Sequence, residues 1–131
     1  MAAKSQRETD KEMEELLVDI GLQKKVARTL IYLSHVEETI SEQIERGTSL
    51  RQPEVSIALK ELREMGWIEK KDVKKEGKGR PVHHYKMVVP MNKAINTLVK
   101  KKRNDIERMQ ENIKKLKALS TTRSEKKEGI P

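Results

Sequence analysis

Cysteine is absent from all 131 residues. That excludes a disulfide framework and any thiolate metal site. Apolar runs are short, and none approaches the ~20 residues that a membrane-spanning helix needs, so no membrane partner is expected. The opening MAAKSQRETD lacks the apolar core of a secretory signal, and a cytoplasmic location is the expectation. Hydrophobic residues make up only 34% of the chain, against 38% charged. This is thin for a globule of this length, so part of the chain should lack a full core of its own, as a long exposed helix or a tail would. No Ser/His/Asp set, phosphate-binding glycine loop or activated nucleophile stands out, so neither an enzyme nor a cofactor is expected. His83 and His84 are neighbours, and neighbours on a strand point to opposite faces. His35 is distant from them in sequence, so no metal site is expected. Nothing marks an effector.

Positive charge, by contrast, is plentiful. Lys and Arg number 29 against 21 Asp and Glu, a formal net charge of +8. A balance of that size speaks of partners rather than of fold, and the first polyanion to consider is nucleic acid.

The length suits one domain, or a small domain with an extension. Residues 1–8 read as a disordered N-terminus. Thr9 with Glu12 then makes a capping-box pattern, and Met13, Leu16, Leu17 and Ile20 form the apolar stripe of a first helix. A second helix covers about 22–35, with Val26, Ala27, Leu30 and Leu33 inward. The tripeptide ETI at 38–40 suits a short strand. Ser41 would cap a brief helix ended by Gly47. After the turn TSL comes a helix with Pro53 in its first turn, where a missing N–H costs nothing, closed by Gly66. Trp67, Ile68 and Val73 on one side of KKEGKGRP, and Val82, Tyr85, Met87, Val88 and Val89 on the other, predict a β-hairpin with a long basic tip.

The helices flanking TSL make a helix-turn-helix candidate, and the hairpin is what a winged version adds. At ~100° per residue, Val55, Ala58, Leu59 and Leu62 share the inner face of the second of these helices, while Ser56, Ile57 and Lys60 face outward. A major groove offers hydrogen-bond acceptors, donors and thymine methyls. Ser56 suits several base edges or a phosphate, Lys60 a phosphate or guanine, and Ile57 a thymine methyl. Arg51 and Gln52, at the helix N-terminus, are within reach of bases or phosphates. From Glu69 to Lys86 there are seven Lys/Arg and three Asp/Glu, a net +4. Lys78 and Arg80 flank Gly79 at the tip, suited to the backbone or to a narrow minor groove.

RQPEVSIALKELREMGWI, followed by KKEGKGRPVHHYKM, resembles the winged helix-turn-helix transcription regulators of the ArsR type and their archaeal relatives. The shared pattern is Gln52-Pro53, Val55-Ser56, Leu59, Leu62-Arg63-Glu64 and Gly66, within a likeness that covers about 22–90. The resemblance implies a DNA-binding fold whose Pro53 helix enters the major groove and whose wing meets the backbone or minor groove. Ile57 departs from it, standing where such proteins often carry a polar or basic residue.

From Met91 to about Leu119 the period is a heptad. Val99, Ile106 and Ile113 recur every seven residues, and so do Ile95, Lys102, Met109 and Leu116, with one lysine interrupting. Ile95, Val99, Ile106, Met109, Ile113 and Leu116 are the candidate dimerisation residues. The fold class expected is therefore mainly α with a small β-hairpin wing: a winged helix-turn-helix over 9–90, a coiled-coil dimerisation helix over 91–119, and a flexible tail over 120–131. The function expected is that of a homodimeric transcription regulator binding specific double-stranded DNA. The alternatives are an architectural DNA-binding protein of low sequence specificity and a winged helix that binds other proteins.

Overall fold

Ser5 opens the first helix, four residues upstream of the cap that Thr9 predicts. The computed structural model describes residues 5–74 and 79–128, and α1 is Gln6–Asp19. The Ser5 hydroxyl accepts from the Glu8 N–H at 3.2 Å. Ser5 and Glu8 repeat the Thr9/Glu12 spacing in an earlier register, and nothing between them breaks a helix. Thr9 becomes an interior residue, its N–H bonded to the Ser5 carbonyl at 3.0 Å. Of the stretch expected to be disordered, residues 5–8 thus cap or continue a helix, and 1–4 lie outside the described residues. Of the apolar stripe only Leu17 is buried, while Leu16 stays 58% exposed.

α2, Lys24–Ser34, is the central helix. Val26, Ala27 and Leu30 are fully buried, and the helix packs on α1, on α3 (Ser41–Thr48) and on α4 (Gln52–Glu64). Two details of α3 differ from the expectation. Ile40, not Ser41, stands at the N-cap, without a side-chain bond. Gly47 lies inside the helix rather than ending it, and Ser49, at φ +60°, closes it. Gly47 is there for space, because a Cβ would come within 2.6 Å of Tyr32 Cδ2.

Gly66 ends α4 at φ +78°. Its N–H reaches the Arg63 carbonyl at 3.0 Å and the Trp67 N–H reaches that of Leu62 at 3.2 Å, the paired bonds of a Schellman stop. The chain leaves this stop directly into β1, Ile68–Val73, which pairs antiparallel with β2, Val82–Met87, from Ile68↔Met87 to Val73↔Val82. Trp67, Ile68 and Tyr85 are buried and bind the base of the hairpin to the helices. The strand expected at 38–40 shrinks to one bridge, in which Thr39 and Tyr85 exchange N–H···O bonds of 3.0 and 2.8 Å. This is a winged helix-turn-helix followed by a long helix.

That last helix, α5, runs Met91–Glu128, past the expected end near Leu119 and into the stretch expected to be a flexible tail. No glycine or proline occurs between Pro90 and Gly129. The Thr121 and Thr122 hydroxyls fold back onto the carbonyls of Lys117 and Ala118, each at 3.0 Å. Polar composition alone therefore does not end the helix. The chain divides into two compact units, residues 1–94 and residues 95–131. In the second, Ile95 and Val99 are half-buried. Ile106, Met109, Ile113 and Leu116 are 54%, 60%, 48% and 68% exposed.

Candidate nucleic-acid interface

The turn between α3 and α4 is built by short-range chemistry. The Thr48 hydroxyl donates to the Ile44 carbonyl at 2.6 Å and accepts from the Leu50 N–H at 3.3 Å. Ser49 takes the left-handed conformation that reverses the chain, and Leu50 is buried beneath the turn. Arg28, from α2, holds the turn from below. Its Nη1 donates to the Thr48 carbonyl at 3.3 Å, while Nε and Nη2 grip Glu14 of α1 at 2.7 and 3.3 Å. The hydrogen bond to Glu14 raises the pKa of Arg28 above its ordinary value, so the guanidinium stays charged. One side chain thus fixes α1, α2 and the α3–α4 turn together. Spacing in the sequence gives no sign of this role, since Glu14, Arg28 and Thr48 are joined only by the fold.

α4 starts where Arg51 gives its N–H to the Glu54 carboxylate at 3.1 Å. The reciprocal half of a capping box is missing, because a guanidinium has no acceptor. The Arg51 side chain is therefore free of the cap and exposed, as is that of Gln52. Pro53 occupies the first turn. Val55, Ala58, Leu59 and Leu62 are 0–2% exposed. Ser56, Ile57 and Lys60 lie on the outer face, with Ile57 45% exposed. Arg63 is exposed as well. It follows Ser56 by seven residues and Lys60 by three, so it belongs to the same outer stripe. That spacing was legible in the sequence, but the residue reads there as part of a motif rather than as a contact.

On the described part of the hairpin, Glu69 and Asp72 are engaged by basic neighbours across the ladder. Lys86 meets Glu69 at 3.5 Å, and His83 pairs with Asp72. His84 Nδ1 reaches Glu38 of the α2–α3 connection at 2.9 Å, and His35 reaches Asp10 of α1 at 3.0 Å. The three histidines thus go to three separate carboxylates. No group of three or more His, Asp or Glu side chains with metal-holding geometry occurs among the described residues. Lys70, Lys71, Lys74 and Arg80 are exposed and make no ion pair among the described residues. Lys78, the other expected tip residue, lies outside the described residues. The charge of the unit is uneven. Residues 1–94 carry 18 Lys/Arg and 16 Asp/Glu, so with the net +4 of 69–86 set aside the remainder is net −2. Positive potential in this unit is concentrated on the wing, beside a recognition-type helix whose outer face is polar except for Ile57.

No protein-family model and no curated protein sequence matches this chain. Solved structures do. A possible transcriptional regulator from Methanosarcina mazei Go1 matches with a TM-score of 0.60 at 17% identity, over 88% of this chain and 92% of the other. TrmBL2, described as an archaeal chromatin protein with a novel mode of DNA binding, matches with a TM-score of 0.67 at 19% identity. That match covers 93% of this chain but only 46% of TrmBL2, so the present chain spans less than half of that protein. The multiple antibiotic resistance repressor MarR matches with a TM-score of 0.51 at 14% identity, over 95% and 88% of the two chains. At these identities the likeness is one of fold, and the fold shared with these transcription regulators and this chromatin protein is the winged helix-turn-helix.

Proposed function

We propose that this chain is a cytoplasmic, non-enzymatic transcription regulator that binds specific double-stranded DNA as a homodimer. α4 enters the major groove, with Ser56, Ile57 and Lys60 toward base edges and Arg51 and Gln52 at its N-terminus. Arg80 and Lys78 of the wing meet the backbone or minor groove. α5 joins two copies through Ile95, Val99, Ile106, Met109, Ile113 and Leu116. In this reading 9–90 is the DNA-binding domain and 91–119 the dimerisation segment. The ArsR-type assignment belongs to the same reading and rests on the Gln52–Gly66 motif. The observation that carries it is the outer face of α4: a short, capped helix on a helix-turn-helix, with its apolar side buried and its polar side open, next to the basic wing.

A second reading has its own support. Ile57 offers no hydrogen bond to a base edge, and TrmBL2 is described as a chromatin protein. An architectural protein with little sequence preference would have the same fold. Selection of bound sequences from random duplexes, followed by competition binding, separates the two. A regulator yields a consensus that competes ~10³-fold or more better than random DNA. Binding without a consensus supports the architectural reading, and no duplex binding at all supports a protein-interaction winged helix.

A further inference from the structure

Three-quarters of the net charge lies outside the winged-helix unit. Residues 95–131 carry 11 Lys/Arg against 5 Asp/Glu, a net +6, while residues 1–94 carry +2. The register of these cations on α5 is ordered. With Val99 at the first heptad position, Lys100 and Lys101 fall at the second and third. Lys114 and Lys115 fall at the same two positions two heptads later. Those positions flank the side of the helix opposite the apolar stripe of Val99, Ile106, Met109 and Ile113. All four lysines are exposed and make no ion pair among the described residues. The acid nearest to the stripe serves elsewhere: Asp105 takes Lys102 at 3.9 Å and Arg108 at 3.1 Å.

We propose that this outer face of α5 is a second nucleic-acid surface, one that binds the phosphate backbone of duplex DNA without reading sequence. Fourteen residues of helix advance about 21 Å, so the two lysine pairs sit about four turns apart on one continuous helix. A duplex presents one phosphate charge per ~1.7 Å of axis. In the heptad between, the same two positions hold Glu107 and Arg108, so the face is most cationic at its two ends, and each lysine pair meets phosphates without needing a particular sequence. The seam and the lysine face do not compete, since they lie on opposite sides of the helix. Charge complementarity selects the occupant: four unpaired ammonium groups and no exposed aromatic among them suit phosphates, not bases. The surface is separate from the α4 face and the wing, and it adds to the reading given above without depending on α4 reading bases.

The test uses the full chain with Lys100, Lys101, Lys114 and Lys115 all changed to Gln, and a matched all-Arg variant that keeps the charge. Binding to a random-sequence duplex is measured across salt concentration. Four lost phosphate contacts should lower the slope of log affinity against log salt by up to ~3.6 per protomer. Raising salt fourfold should then cost the wild type up to ~10²-fold more affinity than the Gln variant. The all-Arg variant should behave as wild type. Alanine at Ser56, Ile57 and Lys60 should leave the Gln variant's loss in place, which keeps this surface distinct from the α4 reading. Circular dichroism equal to wild type shows that the Gln variant folds. Should the Gln variant keep the wild-type slope and affinity, or the Arg variant lose both, the proposal is overturned. It is likewise overturned if these lysines are needed for binding phosphatidylserine vesicles but not duplex DNA.

Discussion

Gly47 sits in the last turn of α3 with the Tyr32 ring of α2 directly against it. Alanine elsewhere in a helix would gain about 1 kcal/mol over glycine. Here the added methyl must displace the ring, and overpacking of this kind costs ~1–3 kcal/mol. Gly47→Ala is expected to destabilise the protein by about 1 kcal/mol, read as a lower urea midpoint with an unchanged slope. Adding Tyr32→Ala should make the two effects non-additive, because both act on one contact. A Gly47→Ala protein as stable as wild type would mean that the ring gives way freely. On α4 the residues that test the proposed DNA contact are the outward ones. Ile57→Ala should weaken binding to a preferred duplex by ~1 kcal/mol or less, through lost contact with a thymine methyl. Lys60→Ala should cost about 1–3 kcal/mol if it reads guanine, and should relax one base position. A triple alanine variant at Ser56, Ile57 and Lys60 with an unchanged preference profile would show that this face reads no bases.

Among the described residues of the wing, Glu69 and Asp72 are engaged by cross-strand partners, while Lys70, Lys71, Lys74 and Arg80 are exposed. Phosphate contacts add affinity without a base code. Replacing Lys78 and Arg80 by alanine should therefore weaken binding to preferred and random duplexes alike. It should also reduce the salt slope by up to ~3.6 for the four contacts of a dimer. Stability should not change, since Arg80 is exposed. The same affinity and slope in the double variant would remove the wing's part in binding. At this scale most of the fold was legible in the sequence. Val26, Ala27, Leu30 and Leu33 give α2, Val55 to Leu62 give α4, and Gly66 stops it, because local period and turn chemistry act within a few residues. What stayed hidden was set by contacts distant in sequence or by competing local signals. Ser5 and Thr9 offer rival caps, and the helix starts at the earlier one because nothing between them breaks it. Gly47 reads as a stop until Tyr32 is known to lie against it. Thr121 and Thr122 read as tail until their hydroxyls are seen bonded within α5. Of the candidate interface, the α4 face was legible from its period. Arg28's hold on the turn was not, since its partners lie 14 and 20 residues away.

For the molecule as a whole, the fate of α5 decides the assembly. Its heptad stripe leaves Ile106, Met109, Ile113 and Leu116 about half exposed or more, and exposed apolar rows of this kind mark association surfaces. In the proposed homodimer a second copy supplies the matching stripe. Lys102 interrupts the stripe while its ammonium group meets Asp105 at 3.9 Å, and a single polar group in such a seam favours one register at some cost in stability. Most helical stability in proteins comes from packing of an amphipathic face, so association and helicity of α5 should be linked. Changing Ile106 and Ile113 to Asp would bury unpaired charges in the seam, at several kcal/mol. Sedimentation should then show a monomer, and helicity by circular dichroism should fall by part of the α5 signal while the winged unit keeps its own. Affinity for a two-half-site duplex should drop by ~10²–10⁴-fold, the loss expected when two linked contacts become independent. Affinity for a single half-site should change far less, which separates lost dimerisation from damage to α4 or the wing. A double variant that still sediments as a dimer would place the interface elsewhere, with α1 and its exposed Leu16 and Val18 the next face to change.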